Sequence, residues 1–188
     1  RMTARSLVSS HRAIDTSDGA GVKLRRVLGH HPDARIDPFL MLDYFSSDNP
    51  DDYLEGFPAH PHRGFETVTY ILDGTFIHQD SHGGGGVISD GGTQWMTAGS
   101  GILHIETPPE ELVVTGGLFH GIQLWVNLPS RSKMLAPRYQ NLDAPNITLI
   151  ASPDGGALVR LIAGDIAGHR GPGSTHTPIV VAHATVSP

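Results

Sequence analysis

The stretch F-E-T-V-T-Y-I-L-D-G-T-F-I-H-Q-D, Phe65 to Asp80, decides the fold class. Its first eight residues are rich in β-branched and aromatic side chains, which suit a pleated, half-buried backbone. Asp73-Gly74 accepts the positive φ angles of a two-residue turn, so the spacing predicts a hairpin joining Phe65–Leu72 to Thr75–Asp80. Working outward, similar runs recur between turn signals: Leu7–Ile14, Val22–Leu28, Phe39–Tyr44, Gly121–Asn127, Ile147–Ala151, Leu158–Ala163 and Thr177–Thr185. Alternation is clearest where Ile122, Leu124, Val126 and Leu128 interleave with Gln123 and Asn127. Helix signals are short. Pro108-Pro109-Glu110-Glu111 and Ser130–Met134 could each start a single turn. Many short strands at regular spacing predict an all-β sandwich or barrel.

Composition agrees. The 188 residues include 23 Gly and 14 Pro, about a fifth of the chain against a usual share of about 12%. Asp and Glu number 19 against 13 Lys and Arg, a net charge of −6. The chain has no basic run beyond the doublet Arg25-Arg26, which argues against direct nucleic-acid binding, since that rests on neutralising phosphates. Absence of cysteine excludes disulfides, thiolate metal sites and Cys nucleophiles. No apolar run approaches the roughly 18 residues of a membrane span, and no signal-peptide pattern is visible, so a cytoplasmic location is expected. Gly83–Gly86 lacks the Gly-Lys-Ser/Thr of a phosphate loop and reads as a flexible connector. Ser152–Gly156 reads as a linker, and the residues after it are too few for an independent core.

The chemistry lies in histidine, of which there are 12. His11, His30, His31, His169, His176 and His183 lie near the termini or beside Gly, Pro and Asp, and are expected in loops. His60-Pro61-His62 is different. Side chains two apart on a strand point the same way, so these two imidazoles can converge on one point, as a metal requires. In Gly99–Glu106 a glycine turn leads into a strand carrying His104 and Glu106, again on one face. Three imidazoles and a carboxylate suit a borderline transition metal. Two alternatives stay open at this point. Glu106 could instead form a buried hydrogen bond or ion pair with Arg63, and Glu66 shares its parity with His60 and His62.

Three segments in order resemble the pirin family: H-P-H-R-G-F-E-T-V-T-Y (His60–Tyr70), Q-W-M-T-A-G-S-G-I-L-H-I-E (Gln94–Glu106) and F-H-G-I-Q-L-W-V-N-L-P (Phe119–Pro129). Pro137-Arg138-Tyr139-Gln140 continues the match, which covers roughly residues 10–180. The resemblance implies a cupin double-stranded β-helix barrel over residues 1–150, with residues 151–188 as linker and start of a second cupin domain. It implies His60, His62, His104 and Glu106 as metal ligands, with Glu66 beside the site rather than on the metal. The expected metal is iron, as Fe2+, with nickel, zinc, manganese or copper as substitutes. The implied activity resembles quercetin 2,3-dioxygenase, with dioxygen and a flavonol-like aromatic as substrates and Glu106 as the catalytic proton acceptor. Phe65, Trp95 and Met96 are candidates for walls of a flat aromatic pocket, or for barrel core. The family also implies a second reading, a metal-dependent transcriptional co-regulator acting through a protein partner. A non-catalytic cupin with a structural metal is a third.

Overall fold

A computed structural model of the chain describes residues 6–30 and 35–187. Its strands, in chain order, are β1 (Ile14–Asp18), β2 (Val22–Leu28), β3 (Phe39–Ser47), β4 (Phe57–His62), β5 (Phe65–Asp73), β6 (Thr75–Asp80), β7 (Gly85–Ser89) and β8 (Thr93–Thr97). There follow β9 (Ile102–Thr107), β10 (Phe119–Asn127), β11 (Arg138–Leu142), β12 (Thr148–Ala151), β13 (Ala157–Ala163), β14 (Asp165–Ile166), β15 (His169–Arg170) and β16 (Val181–Val186). One short helix, α1 (Glu110–Thr115), starts at the Pro-Pro-Glu-Glu signal, and Ser130–Ser132 forms a 3-10 turn. The all-β expectation holds.

Seven strands form one antiparallel sheet in the order β1-β2-β3-β10-β5-β8-β11, and four form a second in the order β4-β9-β6-β7. Strands β12, β13 and β16 make a third sheet. The first two enclose a layered interior. At one end Val22, Leu24, Phe45, Ile71, Phe76, Ile88 and Phe119 pack together. Elsewhere Met96, Ala98 and Ile102 pack with Tyr139. Each such Val, Leu, Ile, Phe or Met side chain, fully buried, contributes roughly 1.5–3 kcal/mol. The outer face of the seven-stranded sheet is covered too. There Val68, Tyr70, Trp95 and Val126 pack with Ile162 and Ala163 of β13, together with Ile179 and Val181. That cover explains why every residue of β8 is buried.

Several expectations are corrected. Asp73-Gly74 is not a hairpin: β5 pairs with β10 and β8, whereas β6 pairs with β9 and β7. It is a corner where the chain changes sheets. Gly74 sits at φ 101°, and a side chain there would meet the Leu118 carbonyl at 2.7 Å. Leu7 and Val8 lie outside any strand and are 84% and 95% exposed, because nothing pairs with them before Ile14. His169 and His183 lie on strands β15 and β16 rather than in loops, and His183 Nδ1 is 2.9 Å from the Tyr70 hydroxyl. His31 falls outside the described residues. Within the glycine run, Gly85 and Gly86 belong to β7. The run is therefore partly strand, not merely a flexible connector.

Candidate metal centre

Strand β9 runs between β4 and β6 and inverts the usual pattern. Its apolar Leu103 and Ile105 are 53% and 37% exposed, while His104 and Glu106 are each 2% exposed. Past Ile102, which joins the core, the strand turns its ionisable residues inward and Leu103 and Ile105 outward, a pattern that marks chemistry rather than core. The register sets His60 opposite His104 and His78 opposite Glu106. The inward face of the four-stranded sheet is therefore lined with imidazoles.

His60, His62 and His104 bring one ring nitrogen each to within 4.8 Å of one another. His60 Nδ1 lies 2.7 Å from the Pro58 carbonyl, which leaves its Nε2 facing His104 Nε2 at 2.9 Å. The burial that surrounds His62, aided by the nearby His60, pulls its pKa down to about 4. His104 is driven lower still by burial and by His60, His62 and His78 around it. Both rings are thus neutral at physiological pH, the state in which an imidazole binds a metal.

Glu106 groups differently. Its carboxylate lies within 4.8 Å of donor atoms on His78 and His104, not in the group made with His60 and His62. His104 belongs to both groups. Glu106 accepts from Gln123 Nε2 at 3.1 Å and, at 3.4 Å, from the Thr69 hydroxyl. Gln123 is oriented by Trp125, whose indole N–H donates to Gln123 Oε1 at 3.2 Å. Burial pushes Glu106 up to about 7, against the pull of Gln123 and Thr69. Arg63 is exposed and takes no part, so the ion-pair alternative fails.

Glu66 is also resolved. It points to the outer face of the seven-stranded sheet, where it accepts from Thr97 Oγ1 at 2.7 Å and Thr175 Oγ1 at 2.6 Å. It does not stand beside the site. Parity counted from His62 fails because the chain breaks at Gly64, φ 80°, and β4 and β5 belong to different sheets. Trp95 likewise belongs to the outer-face cluster, not a pocket wall. Phe65 does approach the site, with its ring 5.1 Å from His62 and 4.6 Å from Trp125. Met96 is interior core. A cavity of about 230 Å³ opens on the centre, lined by His60, His62, Gln123, Trp125, Phe45, Phe57, Phe76, Asp18 and Asp43 among others. Arg26 spans the two acids, bidentate to Asp43 at 2.8 and 2.9 Å and 2.8 Å from Asp18.

The sequence reading missed His78, Gln123 and Asp80. A signal existed for the first and last: His78 and Asp80 share parity on one predicted strand. Gln123 carried no signal, because only the facing of the two sheets brings it to Glu106.

The family model for pirin matches residues 21–126. A pirin-like protein of Caulobacter vibrioides is 51% identical over 87% of this chain and 57% of its own length. The chain belongs to the pirin family. A Pseudomonas aeruginosa protein provisionally named a quercetin 2,3-dioxygenase is 47% identical over 85% of this chain and 54% of its own length. The crystal structure of quercetin 2,3-dioxygenase from Acinetobacter baumannii superposes with a TM-score of 0.82 at 42% identity, covering 90% of this chain and 60% of that one. The cupin fold expected from the pirin resemblance is therefore the fold observed. The chain spans little more than half the length of these pirin relatives. No helix among the described residues is long and apolar enough to cross a membrane.

Proposed function

We propose that this chain carries the metal centre of a quercetin 2,3-dioxygenase-type oxygenase, acting on a flavonol-like aromatic and dioxygen. The observation that carries the reading is the convergence of three imidazoles, two of which, His60 and His62, line an aromatic cavity. The relatives named for quercetin 2,3-dioxygenase support it. The donor set fits a borderline first-row metal, and Fe2+ is the proposed ion, with nickel, zinc, manganese or copper as competitors. When bound, such an ion supplies Lewis acidity that lowers the pKa of an enolic hydroxyl, together with a centre for dioxygen chemistry.

His60, His62 and His104 hold the metal in this reading. Glu106, which shares His104 with that trio, is the carboxylate assigned to complete the set in this reading. It accepts from Gln123, whose side chain lines the cavity, and in this reading it is also the group that takes the substrate hydroxyl proton. Phe45, Phe57, Phe76 and Trp125 exclude water and offer ring faces and edges to a flat substrate. Asp18 and Asp43 line the cavity and share the single guanidinium of Arg26, a balance that disfavours anionic substrates and favours a neutral phenol.

The test is reconstitution with Fe2+ and its competitors, metal analysis, and quercetin turnover in air followed by loss of its visible absorption. Stoichiometric metal with turnover supports the reading. Stoichiometric metal without turnover across a range of flavonols overturns the oxygenase reading in favour of a metal-dependent interaction protein.

A further inference from the structure

We propose that His78 and Asp80 form a positioning pair for His104, fixing its ring as the Nδ1–H tautomer so that Nε2 is the bare nitrogen facing His60. The consequence for metal affinity rests on the metal-site reading above; the tautomer itself does not.

The hydrogen-bond directions follow one from another. His104 Nε2 is 2.9 Å from His60 Nε2, and His104 Nδ1 is 3.2 Å from His78 Nδ1. A neutral imidazole has one N–H. The carboxylate of Asp80 only accepts, so His78 carries its proton on Nε2, which lies 3.1 Å from Asp80 Oδ2. Its bare Nδ1 then accepts from His104 Nδ1–H, and His104 Nε2 keeps its lone pair. Asp80 cannot reverse this order. Its Oδ1 already accepts from the backbone N–H groups of His82 and Gly84 at 2.8 and 2.9 Å. The chain of donors therefore points outward from the centre and ends on a carboxylate.

Burial makes the arrangement binding. The side chains of His78 and Asp80 are each 1% exposed, so water cannot replace either partner. Tyr139 stacks on His78 at 4.5 Å and 14° between planes, holding the ring in the orientation the relay needs. The glycine run gains a reason as well. A Cβ on Gly84 would collide with Asp80 Oδ2, so only glycine lets this loop close over the carboxylate. Partners that orient a ligand histidine through its second nitrogen commonly change metal affinity about 10–100-fold when removed.

His78, His104 and Glu106 also form a three-donor group of their own, which would make His78 a ligand instead. The experiment separates the two. Nitrogen-15 NMR of histidine-labelled, metal-free protein reads the tautomer of His104, and chelator competition reads affinity for the added metal. The parent should show His104 as the Nδ1–H form. In Asp80→Asn the two backbone donors keep the amide oxygen at the Oδ1 position, so the NH2 faces His78 Nε2. His78 must then protonate Nδ1, His104 switches to the Nε2–H form, and affinity falls about 10–100-fold. His78→Phe should lose affinity similarly while keeping the stack on Tyr139. His78→Asn, which offers an amide oxygen near the old Nδ1, should restore most of it. The proposal is overturned if His104 in the parent is the Nε2–H form, or if folded Asp80→Asn changes neither tautomer nor affinity. Equal loss in His78→Asn and His78→Phe also overturns it, as does a second metal equivalent that disappears in His78→Phe. If His78→Phe fails to fold, Asp80→Asn decides. If the parent takes up no metal, the ligand reading fails, and the tautomer alone judges the relay.

Discussion

Glu106 sits in surroundings that oppose its ionisation. Its carboxyl is fully enclosed and has no cationic partner among its hydrogen bonds. The folded value of about 7 lies above the ordinary carboxyl value of 4.5. The folded state therefore holds the proton more tightly, and the stability it gives below pH 4.5 is lost as pH rises through 7. Metal-free Glu106→Gln should be more stable than the parent by about 1–3 kcal/mol at pH 8 and no more stable at pH 4.5, read by urea unfolding. His62 runs the other way. Its folded value of about 4 lies below 6.5, so its contribution is present above pH 6.5 and is lost as pH falls through 4. With metal restored, Glu106→Gln should lose turnover by roughly 10²–10⁴-fold while keeping more metal than His60→Ala, which should lose both together. Glu66→Gln should leave metal content and turnover intact, and weaken only the Thr97 and Thr175 contacts, by about 1–2 kcal/mol. Loss of activity in Glu66→Gln with Glu106→Gln unaffected would reverse the assignment of the carboxylate. The His-x-His and His-x-Glu pairs were legible because strand parity is local. Glu66 was misread because its parity was carried across a chain break that only the three-dimensional path reveals.

At the level of elements, β10 is the strand that holds the large sheet together, bonded to β3 on one side and β5 on the other. Gly121 in its middle allows Phe45 to lie against the backbone. A Cβ there would meet the Phe45 ring at 2.8 Å and the Tyr70 carbonyl at 2.5 Å. Gly121→Ala should therefore destabilise by about 1–3 kcal/mol, with a lower urea midpoint and an unchanged m-value. A neutral result would mean that Phe45 has room to move. Most strands were recognisable from β-branched and aromatic runs, and β9 from its glycine turn and paired ligands. The fate of Asp73-Gly74 was not. An Asp-Gly turn is compatible with a hairpin or a corner, and the competition among β8, β9 and β10 for the edges of β5 and β6 decides between them.

For the whole molecule, the outer cover and the interior centre should both register in stability. Ile162 is 1% exposed in the cluster that shields Trp95 and Val68. Ile162→Ala should cost about 2–5 kcal/mol by denaturant unfolding without altering metal stoichiometry. A metal that binds only the folded state should add about 2.7 kcal/mol at a hundredfold excess over its Kd. Thermal unfolding with and without Fe2+ should show that rise, reversed by a chelator and absent in His60→Ala.

What the sequence determined by itself is what depends on local periodicity. The β class follows from it, as do the pairing of His60 with His62 and of His104 with Glu106 on common strand faces, and the exclusion of thiolate chemistry. The pirin motifs added the expectation of a cupin barrel. The tertiary structure alone decided which faces meet. It placed His78 against His104, Gln123 against Glu106, and Glu66 against Thr97 and Thr175. Those contacts join residues on separate strands, most of them far apart in the chain. Their distances are set by register within the small sheet, by how the two sheets close on each other and by the cover over the outer face, and strand parity says nothing about any of these.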